Sequence, residues 1–144
     1  MLNKFLTSRV ISENGLTLIR IIAGILILVH GFGLFNKGHM AGNVAWLTDI
    51  HFPAPVFMAY LGKSAEFIGG IFLVLGLLAR FTAVALIINI AVITFVLGSG
   101  KIFTDDQQPL LLLVLFLWVF FNGAGKWSLD RLLFDKASNT GDAK

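Results

Sequence analysis

The chain has 144 residues, 57% of them hydrophobic and only 13% charged, with a mean hydropathy of +0.87. A soluble domain carries roughly one quarter charged residues, so this composition argues against a secreted, disordered or nucleic-acid-binding protein and makes a bilayer the solvent for most of the chain. The net charge of +3 comes from basic residues that form no run or stripe, a placement that fits membrane topology rather than a polyanion partner. The absence of cysteine removes disulfides, thiolate metal sites and thiol redox chemistry together.

In chain order, the stretch MLNKFLTSRVISENG lacks the apolar centre of a cleavable signal and reads as a cytoplasmic arm. Apolar runs predict four spans at about 15–35, 54–79, 81–98 and 109–124. An interfacial loop, 36–53, follows the first and is anchored by Trp46. Pro53 and Pro55 punctuate the second span, Arg80 ends it, and the third follows at once, so these two form a tight hairpin. Thr104, Asp105, Asp106 and Pro109 mark a helix start before the fourth span, and an amphipathic segment covers 126–135. Of the flanking basic residues, Lys4, Arg9, Arg80, Lys126, Arg131, Lys136 and Lys144 fall on the side of the termini, against Lys37 and Lys101 on the other. This asymmetry places both termini in the cytoplasm. The expected fold is all-α: one integral-membrane four-helix bundle over 1–144.

The informative residues are polar ones inside spans, because a charge at the centre of a membrane helix costs about 2.5 to 3.5 kcal/mol on insertion scales. Arg20 and His30 lie in the first span, Lys63 and Glu66 in the second, and Asn89 in the third. Helical spacing sets Arg20, Ala23, Gly24, Ile27, His30 and Gly31 on one stripe, and Lys63, Glu66 and Gly70 on another with Tyr60 beside it. Small residues along such stripes let helices approach closely. Depth, at about 1.5 Å per residue, puts Glu66 between Arg20 and His30. One buried cluster of Arg20, His30, Lys63, Glu66 and Asn89 is therefore expected, serving either a ligand or proton function or a structural ion pair that sets helix register. Which cation pairs with Glu66 stays open at this stage.

Other polar groups carry less. His39, Asp49 and His51 lack a compact ligand spacing and read as solvated, so no metal site is expected. His30 is the sole histidine inside a span, which leaves haem without a second histidine ligand. Glu66 stands without a Glu-x-x-His partner, which argues against a di-iron site. Gly69 and Gly70 read as packing glycines.

Three separated patterns then coincide: LIRIIAGILILVHGFGLFNK from Leu18 to Lys37, SAEFIGGIFLVLGLLARF from Ser64 to Phe81, and GAGKWSLDRLL from Gly123 to Leu133. Together they resemble the DoxX family of small bacterial four-helix membrane proteins. The resemblance implies a four-helix bundle in the bacterial cytoplasmic (inner) membrane, with Arg20, His30, Lys37, Glu66, Gly69, Gly70, Arg80, Trp127, Ser128 and Asp130 on the family's recurrent positions. It also implies association with membrane oxidoreductase systems that handle quinones. In the closing motif, Ser128 is expected to cap a short helix with Asp130 in its first turn.

The functional expectation is a subunit of such a system, with Glu66 accepting or relaying a proton, Arg20 stabilising that carboxylate or a reduced, anionic quinone, and His30 hydrogen-bonding a carbonyl. Lys63, Asn89, Tyr60 and Lys37 complete the candidate substrate-binding set. No intrinsic cofactor is expected; a quinone is the external carrier, a redox partner subunit supplies the redox centre, and membrane lipids and a homo-oligomer are the other partners. The alternative is a non-enzymatic small-solute or lipid transporter, or an assembly factor.

Overall fold

The computed structural model describes residues 13–101, 103–104, 107–125 and 127–138, with residues 13 and 134–138 described by backbone alone. The N-terminal arm read from the sequence lies outside the described residues, as do Asp105 and Asp106. All secondary structure among the described residues is helical. Helix α1, Glu13–Gly31, runs into a 3-10 turn, Phe32–Phe35. There Asn36 turns extended, and its side chain accepts from the His39 N–H at 3.1 Å to cap a second helix, α2, Lys37–Asp49. A helix thus occupies most of the segment 36–53, where the sequence predicts an interfacial loop. Its polar composition hid the spacing of Met40, Val44 and Leu47, which forms one apolar face packed against Ala59, Leu34 and Phe52.

Helix α3, Pro55–Leu75, starts with proline in its first turn, where the missing N–H costs nothing. It ends at Gly76 in the left-handed region, with the Leu77 N–H reaching back to Phe72 O at 2.9 Å. After two residues α4, Ala79–Ala91, begins, and it continues into a π-helical turn, Val92–Val96. The Thr94 hydroxyl, inside that turn, donates to Ile90 O at 2.8 Å. Helix α5, Gln107–Asn122, and the short α6, Leu129–Ser138, complete the order. Among the described residues three segments are long and apolar enough to cross a membrane: Asn14–Phe35, Pro55–Leu75 and Ala79–Val96; α5 is apolar but has 16 residues.

Glycines set the closest helix contacts. A side-chain carbon on Gly70 would stand 2.7 Å from Leu28 Cβ, and one on Gly24 2.8 Å from the Val74 backbone, so α1 and α3 pack antiparallel almost backbone to backbone. Gly69 admits Leu86 in the same way and joins α3 to α4. Ala83, Leu86, Ile90, Leu113, Phe116 and Val119 fill the core between α4 and α5, and Ala23, Ile27 and Leu73 extend it to α1 and α3. Leu18, Ile22, Val29, Val114 and Phe121 point outward, as lipid-facing positions do.

At the end where α3 meets α4, one cation gathers three pieces of chain. Arg20, 1% exposed, donates through Nη1 to Ala124 O and through Nη2 to Trp127 O at 2.7 Å, with Val74 O at the outer limit of 3.5 Å. Its Nε is buried without an acceptor among the described residues. Ser128 accepts from the Arg131 N–H at 3.3 Å and caps α6. Asp130 reaches further than its own helix: its two oxygens accept from the Leu78 N–H at 2.6 Å and the Ala79 N–H at 3.0 Å. These are the orphan donors at the start of α4, and the bonds hold Leu78 in a left-handed conformation (φ 47°) unfavourable for a branched residue. Asp130→Ala is expected to lower stability by about 1 to 2 kcal/mol, read as a fall in melting temperature in detergent. An unchanged melting temperature would remove Asp130 from the role of cap.

Candidate functional site: a cavity with a charged floor

Lys63 and Glu66 are one turn apart on α3, a spacing at which oppositely charged side chains meet. Lys63 Nζ lies 2.7 Å from Glu66 Oε2, and Asn89 of α4 donates from Nδ2 to Glu66 Oε1 at 3.3 Å. Lys63 donates a second time to His30 O, the carbonyl near the end of α1, at 3.3 Å. Glu66 is 3% exposed, so both its oxygens are desolvated and both are satisfied, the condition under which a buried carboxylate is tolerated. Gly62 makes room for this arrangement, since a side-chain carbon there would come 3.0 Å from Asn89 Oδ1.

Lys63, Glu66 and Asn89 form the polar floor of a cavity of about 510 Å³ between α2, α3 and α4. Its walls are apolar, with Leu61, Ala85, Ile88 and Val92 among them, and α2 roofs it with Asn43 and Trp46. The π turn shapes the wall. In an uninterrupted α-helix Leu97 would sit about 80° around the axis from Asn89, and one extra residue in a turn rotates it back to within about 20°. Leu97 lines the same cavity as Asn89. A volume in the range of roughly 300 to 1,000 Å³, apolar walls and a few convergent polar groups are the attributes of a small-molecule site.

The structure brings Lys63, Glu66 and Asn89 together and separates the rest of the expected cluster. Arg20 does not reach Glu66. Gly31, not Arg20, abuts Glu66 and Phe67, and Arg20 stands eleven residues away, about 16 Å along the axis. Its guanidinium extends toward the chain ends because carbonyls freed at the end of α3 and in the α5–α6 link offer acceptors there. His30 turns its ring away from the cavity: Nδ1 lies 3.0 Å from Leu26 O, and Nε2 lies 3.0 Å from the Gln108 side chain of α5. The ring lines a separate cavity of about 390 Å³ between α1 and α5. Tyr60 and Lys37 are exposed and line neither cavity. Sequence reasoning missed Asn43, Gly62 and the π turn, and left the partner of Glu66 open between Arg20 and Lys63, although the Lys-x-x-Glu spacing was the signal that could have decided it.

These features define a helical membrane protein with a polar-floored cavity at the end away from the Arg20 junction. A family model for DoxX matches residues 15–99, and this chain belongs to the DoxX family. It is 30% identical over 129 residues to the Bacillus subtilis (strain 168) protein named "Putative oxidoreductase CatD", covering 88% of this chain and 92% of that one. An uncharacterized membrane protein of Mycobacterium tuberculosis is 31% identical over 140 residues, covering 85% of this chain and 83% of the relative. An uncharacterized protein of Haemophilus influenzae is 30% identical over 130 residues, covering 84% and 92%. No solved structure matches the chain.

Removing one partner of a buried pair strands the other charge, at a cost of about 3 to 5 kcal/mol. Lys63→Met should therefore lower the melting temperature more than the double variant Lys63→Met/Glu66→Gln, in which no charge is stranded. Equal losses in the two proteins would show that the pair is not desolvated.

Proposed function

We propose that this protein binds a quinone-type or other small lipophilic molecule in the cavity floored by Lys63, Glu66 and Asn89, as a subunit of a membrane oxidoreductase system. The observation that carries this reading is the placement of a hydrogen-bonded ion pair and an amide on one wall of an otherwise apolar cavity. Lys63 has three N–H donors and gives one to Glu66 and one to His30 O. The third is left to hold a ligand carbonyl at the floor. Conversion of a quinone to a quinol takes up two electrons and two protons; Glu66 and Lys63 stand where protons are passed to the ligand oxygen, and a partner subunit supplies the electrons. The name of the Bacillus subtilis relative supports an oxidoreductase setting.

This reading includes the topology. Helix α5 is the fourth span, completed to the interfaces by its flanking turns, and both termini face the cytoplasm of a bacterium as a multi-pass inner-membrane protein. The basic residues that cluster on the side of the termini, Arg80, Lys126 and Arg131 among them, support that orientation.

The test is extraction of protein purified in mild detergent, with quinones quantified by mass spectrometry in wild type and Glu66→Gln. Near-stoichiometric quinone in wild type and its loss in the variant are expected. Protein free of quinone in both samples would contradict the redox reading and favour the transport or assembly alternative.

A further inference from the structure

We infer that the ligand reaches the Lys63–Glu66–Asn89 cavity sideways from the bilayer, through the cleft between α3 and α4, and that it is a neutral amphiphile with a carbonyl-type head and a tail that stays in lipid. This rests on the ligand-binding reading above and adds the route and the chemical class.

The route follows from where the cavity is open. Of its lining residues, Leu61 is 50% and Ile88 60% exposed. Ile88 sits at the midpoint of the apolar segment Ala79–Val96, so the exposed flank of the cavity lies at hydrocarbon depth rather than at a water interface. Ala85, one turn before Asn89, is also exposed and lines the same opening. Its small side chain leaves a gap between Leu61 of α3 and Ile88 of α4. On the other side α2 covers the cavity with the buried Leu47 and with Trp46, which lines the wall and is itself 44% exposed, less than Leu61 or Ile88. Helices α3 and α4 close together further along, where a side-chain carbon on Gly69 would stand 3.0 Å from Leu86. The cleft is thus shut at one end, roofed at the other and open to lipid between.

The head group follows from charge. Among the described lining residues Lys63 and Glu66 are the ionisable ones, and they neutralise each other at 2.7 Å. A phosphate head would need a second cation to offset its desolvation, and the floor offers none. A neutral carbonyl needs only a donor, which the remaining Lys63 N–H supplies. The apolar flank at mid-span accommodates a chain leading out among the acyl tails.

The experiment uses the full chain in phosphatidylcholine vesicles, with Trp118→Phe and Trp127→Phe so that Trp46, in the cavity wall, is the remaining tryptophan. Decylubiquinone is the probe, and saturable quenching of Trp46 is followed by stopped flow. Ala85→Phe, which narrows the opening without touching the floor, should slow association by about tenfold. Ile88→Ala, which widens it, should speed association. Dioleoyl phosphatidic acid in the vesicles should not displace the probe. Rates unchanged in both variants, or slowed instead by Asn43→Phe under the α2 roof, would overturn the lateral route. Displacement by phosphatidic acid would overturn the neutral head. Wild type without saturable quenching would remove the ligand-binding reading itself, and the route with it.

Discussion

A guanidinium buried among helices that face lipid has to collect its hydrogen bonds from whatever carbonyls the fold leaves free, and Arg20 collects them from the parts of the chain that would otherwise be loose. Its partners are the carbonyl of Val74 at the end of α3 and those of Ala124 and Trp127 in the link between α5 and α6. Backbone groups at helix ends have no partner of their own, and in a membrane protein an unsatisfied one is expensive. Asp130 completes the junction by capping α4 from a helix more than fifty residues away in sequence. It stands within electrostatic range of Arg20. The order of the helices at this end therefore depends on a few charge-assisted bonds to backbone rather than on side-chain packing alone.

With one end clamped, the other end can be loosely packed. Glycines at 24, 31 and 70 draw α1 against α3, which brings the His30 carbonyl over Lys63 and holds the ammonium above Glu66. Packing between α3 and α4 is close at Gly69 but opens toward α2, where Gly62 and Ala85 put little bulk beside Asn89. The π turn then orients the last part of α4 so that its apolar residues continue the cavity wall. The same class of small residue serves tight contact in one place and open volume in another, according to what the facing helix offers.

The helical class, the membrane setting and the family were legible in the sequence because hydropathy and spacing are local properties. So was the polar wall on α3, since three residues separate Lys63 from Glu66 on one helix face. The direction of Arg20 was not legible. Its depth was compatible with Glu66, and the carbonyls that attract it come from a turn some hundred residues later in the chain, which no periodicity encodes. His30 failed for a related reason: its ring takes its partners from its own helix and from Gln108. Helix α2 was hidden by its glycines and charges, although Met40, Val44 and Leu47 carried the spacing of a buried face.

In the proposed function Arg20 is a structural cation and Lys63 and Glu66 hold the ligand, and a ligand-induced thermal shift measures that division directly. A ligand that binds the folded state stabilises it by an amount that grows with the logarithm of its concentration over Kd, whatever the protein's starting stability, and so raises the melting temperature. Melting should be followed in detergent with and without decylubiquinone for wild type, Arg20→Lys and Glu66→Gln. Arg20→Lys should start from a lower melting temperature yet gain as much from the quinone as wild type, whereas Glu66→Gln should gain nothing. A ligand shift lost in Arg20→Lys, or kept in Glu66→Gln, would contradict the division of labour between the two ends of the molecule.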